Sequence, residues 1–280
     1  MNKNYTLNNG LEIPVVGFGT WQTPDGEVAE LSVITALKAG YTHIDTAAAY
    51  KNEESVGRAI KKSGLNREDL YITTKLANPS HTYEDAQQSI KDSLEKLDLD
   101  YIDLYLIHWP NPVTSRHEWK KRNADSWRAM EEAVDAGLIK SIGVSNFHPH
   151  HIDALLETAR IKPAVNQILL NPSDMQEELV RYNKKHDILS EAYSPLGTGK
   201  IFEVESLKDL ASKYNKTVAQ VVIRWSLHHG FLPLPKSVTP ERIVSNFDVY
   251  DFELSPEDIA LIDGLKGTAG SAIDPDTTNF

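Results

Sequence analysis

From residue 15 onward the chain alternates between short β-prone runs and longer segments whose apolar residues recur at helical spacing. The β-prone runs lie at 15–19, 43–45, 71–75, 102–108, 141–145, 164–167, 188–193 and 231–235. Helical spacing occupies 26–39, 53–63, 83–97, 125–136, 149–158, 176–186, 206–214 with 218–228, and 240–248. Parallel strands need long crossovers, and helices supply them, so this rhythm predicts a parallel sheet with helices outside it. Eight such units in roughly 250 residues is the length of a closed (β/α)8 barrel. Two smaller doubly wound halves are the rival arrangement, but no Pro/Gly/Ser-rich linker divides the chain. The early glycine cluster Gly17-Phe18-Gly19 continues into Thr20-Trp21-Gln22, so the third glycine of a dinucleotide-binding turn is missing. The expected fold is therefore one α/β domain, residues 1–280, a TIM barrel. A β-hairpin turning at Asn9-Gly10 precedes it, and a helix opening at Ser255-Pro256 plus a tail follow it.

Charge and composition narrow the partners. With 29 Lys+Arg against 40 Asp+Glu, the net charge of −11 gives nucleic acid and anionic membranes nothing to hold. A chain without Cys has no thiol nucleophile, disulfide frame or Cys-ligated metal. Residues 1–6 carry no apolar leader, and no run approaches the ~18 apolar residues of a membrane span. These features lead us to expect a cytoplasmic protein, and with no exposed apolar stripe that demands a partner a monomer is the simplest reading.

In a barrel of this kind chemistry gathers at the C-terminal ends of the strands. The polar residues expected there are Thr20 and Trp21, Asp45, Lys75, His108, Ser145 and Asn146, Gln167, Tyr193 and Ser194, and Lys236 and Ser237. Among them Asp45, Lys75 and His108, with Tyr50, make a proton-transfer group. An ammonium beside a phenol favours the phenolate, so Lys75 is expected to lower the pKa of Tyr50. Asp45 would supply the counter-charge that a buried ammonium needs, and His108 a hydrogen bond to a substrate oxygen. Trp21 and Trp109, each beside such a residue, would form an aromatic wall over the substrate.

These stretches resemble the aldo-keto reductase family over nearly the whole chain. The resemblance is carried by Gly17-Phe18-Gly19-Thr20-Trp21, His43-Ile44-Asp45-Thr46-Ala47 with Tyr50-Lys51-Asn52-Glu53, Ile72-Thr73-Thr74-Lys75 and Leu104-Tyr105-Leu106-Ile107-His108-Trp109-Pro110. Gly143-Val144-Ser145-Asn146-Phe147, Ala192-Tyr193-Ser194-Pro195-Leu196-Gly197 and Leu234-Pro235-Lys236-Ser237 continue it. It implies NADPH-dependent reduction of a carbonyl, with methylglyoxal or simple aliphatic and aromatic aldehydes and ketones as substrates. The implied tetrad is Asp45, Tyr50, Lys75 and His108, with Tyr50 as general acid and no metal. By the same resemblance Ser145, Asn146 and Gln167 hold the nicotinamide carboxamide and Tyr193 stacks on its ring. Ser194, Leu196, Lys236, Ser237, Arg242 and Asn246 take the phosphate end, while Thr20, Trp21, Asp45 and Val238 complete the cofactor set. Trp21, Tyr50, His108 and Trp109 are the implied substrate contacts. Lys236 and Arg242 favour NADP over NAD, since a 2′-phosphate needs cationic, fork-shaped donors.

Two positions depart from the pattern: Leu169 stands where an acidic residue is common, and Ser245 where a glutamate often contacts the adenine end. His148-Pro149-His150-His151 suggests metal, but the local sequence offers no carboxylate to complete a site, and it coincides with a helix start. The run 47–49 reads as backbone packing at the mouth, and Trp225 as core. Residues 110–122 and the tail 267–280 are expected to set substrate choice. A cofactor-binding regulatory module, or a barrel isomerase or aldolase using Lys75 as a Schiff-base amine, are the competing functions.

Overall fold

Residues 3–280 are described by a computed structural model. Met1 and Asn2, part of the N-terminal stretch read above for a leader, lie outside the described residues. Strands β1 (Asn4–Thr6) and β2 (Glu12–Pro14) pair antiparallel as the opening hairpin. Then follow β3 (Phe18–Gly19), α1 (Glu27–Ala39), β4 (His43–Asp45), α2 (Glu53–Ser63), β5 (Tyr71–Leu76), α3 (Tyr83–Leu97) and β6 (Ile102–Ile107). The chain continues through α4 (Trp119–Asp135), β7 (Ile139–Ser145), α5 (Pro149–Leu156), β8 (Val165–Leu169), α6 (Glu177–Lys185) and β9 (Leu189–Tyr193). It ends with α7 (Glu205–Tyr214), α8 (Val218–His228), β10 (Leu232–Pro233), α9 (Pro240–Phe247) and α10 (Pro256–Asp263). No helix among the described residues is long and apolar enough to cross a membrane.

Strands β3 to β10 form one parallel sheet in sequence order. Its two edges meet: the Gly17 amide donates to the Pro233 carbonyl and the Gly19 amide to that of Pro235, each at 3.1 Å. The expected (β/α)8 barrel is what forms. The seam explains the early glycines. A Cβ on Gly17 would lie 2.5 Å from Leu234 and 2.6 Å from His43, so only a bare backbone closes the barrel there.

Strand alternation sorts the side chains. Ile44, Ile72 and Leu76, Tyr105 and Ile107 point outward into the large core beneath α1 to α5. The intervening positions point inward, and at the barrel's lower end these are apolar: Tyr71, Leu104, Val165 and Leu232 pack with Leu7 and Ile13 of the hairpin. The hairpin closes that end. Asn8 donates to the carbonyls of Pro163 and Asp187, Asn9 to the Ser141 hydroxyl and Tyr5 to the Phe231 carbonyl. The turn spans three residues between Leu7 and Leu11, with Gly10 at φ +84°.

One element departs from expectation. Helix α4 begins at Trp119 instead of 125, after a 3₁₀ turn at Val113–Glu118. Its first turns, Trp-Lys-Lys-Arg-Asn-Ala, lack an apolar stripe and are fastened by tertiary contacts. Asn123 donates to the Pro110 carbonyl at 2.9 Å, and the Trp119 ring meets that of His151 at 4.8 Å. Trp225 is wholly buried in the core around α7 and α8, its indole N–H on Asp263.

Candidate active site

Toward the upper end of the barrel the inward positions turn polar: Asp45 on β4, Thr73 and Lys75 on β5, Gln167 on β8, Glu191 and Tyr193 on β9. Asp45, Gln167 and Tyr193 line a cavity of about 950 Å³, whereas Lys75, expected to point into it, does not line it, and neither do Thr73 and Glu191. Lys75 is fully buried, and its ammonium donates to both Asp45 oxygens at 2.7 and 2.8 Å and to the Thr46 carbonyl at 2.8 Å. The Tyr50 hydroxyl lies 3.4 Å away. Burial works against the Lys75 charge, but Asp45 and Tyr50 overcome it and raise its pKa above the ordinary lysine value. Burial raises the Asp45 carboxyl above its ordinary value, and the two bonds from Lys75 and one from Gln167 oppose that rise by favouring the charged pair.

Tyr50 arrives on a 3₁₀ turn, Ala48–Tyr50, followed by Lys51 in the left-handed region at φ +57°. That turn is anchored by Asn52, which is fully buried. It donates to the Thr20 and Thr23 carbonyls and accepts from the Thr46 hydroxyl, tying the loops after β3 and β4 together. The expected lowering of the Tyr50 pKa does not occur. Burial raises it and outweighs Lys75, whose charge is already shared with Asp45. The Tyr50 ring stands edge-on to His108, at 5.7 Å between centroids. Burial and the Lys75 charge drive His108 down to about 3, so the imidazole is neutral.

Of the residues expected to bind cofactor or substrate, Trp21, Asp45, Tyr50, His108, Trp109, Ser145, Asn146, Gln167, Tyr193, Ser194, Leu196 and Lys236 line the cavity. A relay links several of them. The Tyr193 hydroxyl donates to Asn146 Oδ1, whose amide donates to the His108 carbonyl and the Ser145 hydroxyl, which donates to the Gln167 carbonyl. Asn146 and Ser194 hold left-handed φ values of +61° and +48°, backbone strain of the kind that persists at functional sites. Thr20 does not line the cavity, because its hydroxyl is turned onto the Asp45 carbonyl. Ser237, Val238, Arg242 and Asn246 also lie off the lining, at the turn before α9 and along it. Lys236 donates to the Gln22 carbonyl at 3.2 Å. Ser245 turns its hydroxyl back onto the Arg242 carbonyl.

Other cavity residues did not follow from strand ends. Residues 110–122, expected to shape the pocket, contribute nothing to its lining, whereas Ala48 and Ala49, read as packing, do. The tail does reach it, through Ile273 and Phe280, and the Phe280 ring meets Trp109 at 4.7 Å. The segment 110–122 acts at one remove, by holding that tail. Val113 donates to the Phe280 carbonyl, Arg116 to that of Thr278 and Asn111 to Asp276.

Below the Asp45–Lys75 pair lies a second buried layer. Gln167 Nε2 donates both to Asp45 at 2.8 Å and to Glu191 at 2.7 Å. Glu191 is wholly buried, with His43 3.6 Å away, and burial beside Asp45 pushes its carboxyl up to about 8. Its inward position follows from the period-two alternation with Tyr193, which sequence reading left unused.

A profile described as the aldo/keto reductase family matches residues 15–266. The glyoxal reductase of Bacillus subtilis is 47% identical over 98% of this chain and 96% of its own length. The methylglyoxal reductase DkgA of Escherichia coli is 45% identical over 98% and 96%. Among solved structures, an aldo-keto reductase from a deep-sea metagenome superposes with a TM-score of 0.93, at 40% identity over 99% of this chain and 100% of that one. A Bombyx mori aldo-keto reductase in complex with NADP gives 0.85, at 37% identity over 95% and 93%.

Proposed function

This chain belongs to the aldo/keto reductase family, and from that premise we propose that it reduces small aldehydes, ketones and dicarbonyls such as methylglyoxal with NADPH. Tyr50 is the proposed general acid. The observation that carries the reading is the buried Lys75 ammonium, bonded to Asp45 and Thr46 and reaching the Tyr50 hydroxyl at the inner end of the cavity. The names of the glyoxal and methylglyoxal reductases support the substrate class. In this reading the whole chain acts as one barrel domain, and a cavity lined by residues of one chain supports a monomer.

The residues fit a nicotinamide dinucleotide. Ser145, Asn146 and Gln167 offer amide and hydroxyl groups on one wall and Tyr193 an aromatic face, while Lys236 sets a cation at the cavity rim. Ser237 lies just beyond Lys236, where the Thr239 amide caps onto its hydroxyl ahead of the α9 N-terminus, and Arg242 follows on α9. Bound there, NADPH would supply the hydride. Lys236 and Arg242 would favour it over NADH through its 2′-phosphate.

The chain's own groups manage the proton. Because burial keeps the Tyr50 phenol protonated at neutral pH, it has a proton to give to a carbonyl oxygen as negative charge builds there. Neutral His108 steers that oxygen by hydrogen bonding without adding charge. Lys75 does too little to ionise Tyr50 at rest. Once the proton moves, the same ammonium stabilises the phenolate that remains, so its charge acts where charge develops. With four oxygen contacts and no exposure, Lys75 is committed as an ion-pair partner and not as a Schiff-base amine.

Tyr50→Phe is expected to lower kcat for methylglyoxal about 10²–10⁴-fold, with NADPH binding, read by fluorescence titration, unchanged. Activity equal to wild type would remove Tyr50 from the mechanism. Lys236→Ala and Arg242→Ala should raise KM for NADPH and spare NADH, and equal effects on both would refute the 2′-phosphate assignment.

A further inference from the structure

The His148-Pro149-His150-His151 stretch offered imidazoles without a carboxylate, and the fold supplies one from the far end of the chain. Asp276, in the C-terminal tail, sits over the start of α5 with Oδ2 3.1 Å from His150 Nε2. Its other oxygen is already engaged: Oδ1 accepts from His151 at 2.9 Å and from Asn111 at 2.8 Å. His151 Nδ1 accepts the His148 backbone N–H at 3.1 Å, so its proton sits on Nε2 and points at Asp276. Buried His151 and Asn111 thus orient the carboxylate, as outer partners orient the ligands of metal centres. Oδ2 is left facing the imidazoles. One donor atom each from His148, His150 and Asp276 lies within 4.8 Å of the others. Asp274, whose carboxylate accepts the Asp276 amide, adds a second negative charge to the same turn.

We propose that His148, His150 and Asp276 form a site for a divalent transition metal, which clasps the C-terminal tail to α5 beside the substrate cavity. Two imidazoles and one carboxylate suit zinc, nickel or copper and are a poor set for calcium or magnesium, which take oxygen donors. The clasp has a consequence for the pocket. Asp276 lies in the chain between Ile273 and Phe280, both of which line the cavity. The metal would therefore add a fixed point to the segment that forms one wall, beside the existing bonds from Asn111 and Arg116. This proposal stands on side chains outside the tetrad and does not depend on the reductase reading.

Full-length protein without a polyhistidine tag, dialysed against a chelator, is titrated with Zn²⁺ in competition with a chromophoric zinc indicator. One equivalent is expected to bind. His150→Ala and Asp276→Asn should each weaken it at least tenfold, and Asn111→Ala, which frees the carboxylate to rotate, about tenfold. Because Asp276→Asn also loosens the tail, His148→Gln is the cleaner variant: it keeps the His150, His151 and Asn111 contacts to Asp276 and leaves a side-chain acceptor at the α5 N-cap, so Tm should stay near wild type while zinc is lost. Amide hydrogen exchange over 268–280 should slow on zinc addition in wild type and not in His148→Gln. If wild type takes up no zinc, or the His148 and His150 variants bind it as well as wild type, the site is overturned. Zinc uptake with unchanged tail exchange overturns the clasp.

Discussion

Polar side chains fasten both ends of the barrel, around an apolar floor below and an open cavity above, and the two sets work on different principles. At the floor, Tyr5, Asn8 and Asn9 are neutral, and the first two cap carbonyls at 163, 187 and 231 just ahead of strands, which the sheet leaves unpaired. At the mouth, Lys75, Asp45, Gln167 and Glu191 bond mostly to one another, with buried charge held by buried charge. A neutral bond to a backbone carbonyl contributes a little stability and can be given up cheaply. A desolvated ion pair contributes little net stability, yet neither partner can be removed alone without leaving the other charged and dry. The floor is built to hold the barrel shut and the mouth to hold a charge in place.

The largest test of that contrast is Lys75→Met. It should cost about 3–5 kcal/mol in denaturant unfolding, because Asp45 is left buried without its counter-charge. Activity should fall to background as well. Asp45→Asn/Lys75→Met removes both charges and should recover much of the stability while staying inactive. If the single variant unfolds like wild type, the mouth is no more charge-dependent than the floor.

The mouth's half of this contrast was largely legible in the sequence and the floor's was not, and where reading failed the reason is specific. Strand rhythm places Asp45, Lys75 and His108 at strand ends, so their gathering at one end of the barrel follows from topology, although Lys75 itself does not line the cavity. Tyr50 needed more, since it stands five residues past its strand, on a turn whose anchor is Asn52. Nothing in the local pattern marks Asn52, because its partners, the Thr20 and Thr23 carbonyls, belong to another loop. Phe280 and Asp276 were hidden for the same reason: a tail has no periodicity, and its place is set by Asn111, Val113 and Arg116 far back in the chain. The pKa of Tyr50 was misjudged because a pairwise argument with Lys75 omitted burial, the larger effect.

Glu191 sharpens the comparison by a charge the mouth does not carry. Facing it are Asp45, Lys75, Gln167 and His43, and its pKa of about 8 lies above the 4.5 of an ordinary glutamate. Between those values the folded state holds a proton that the unfolded chain has lost, so stability falls as pH rises and levels off above about 8. The buried histidines act oppositely, since His43 and His108, each near 3 when folded, add stability as pH climbs toward 6.5. Glu191→Gln keeps an acceptor for Gln167 and removes the titration. Its stability relative to wild type should therefore increase from pH 5 to pH 9, by on the order of a few kcal/mol. A difference that stays flat across that range would mean Glu191 is ionised throughout.

The smallest expected effect belongs to the floor. Asn9→Ala removes the amide that donates to the Ser141 hydroxyl at 2.9 Å, and with it the acceptor for the Leu11 amide inside the turn. Both lost partners are neutral, and the Leu11 amide can turn to water, so only the buried Ser141 hydroxyl is stranded. The cost should be about 1–2 kcal/mol in urea unfolding. Since, among the described residues, Tyr5, Asn8 and Asn9 bond to Phe231, Pro163, Asp187 and Ser141 and not to the tetrad, kcat and KM for methylglyoxal should match wild type. A loss of kcat at full Tm would mean that the hairpin positions Lys75 or Tyr50 through the barrel interior, and the division between a holding end and a working end would fail.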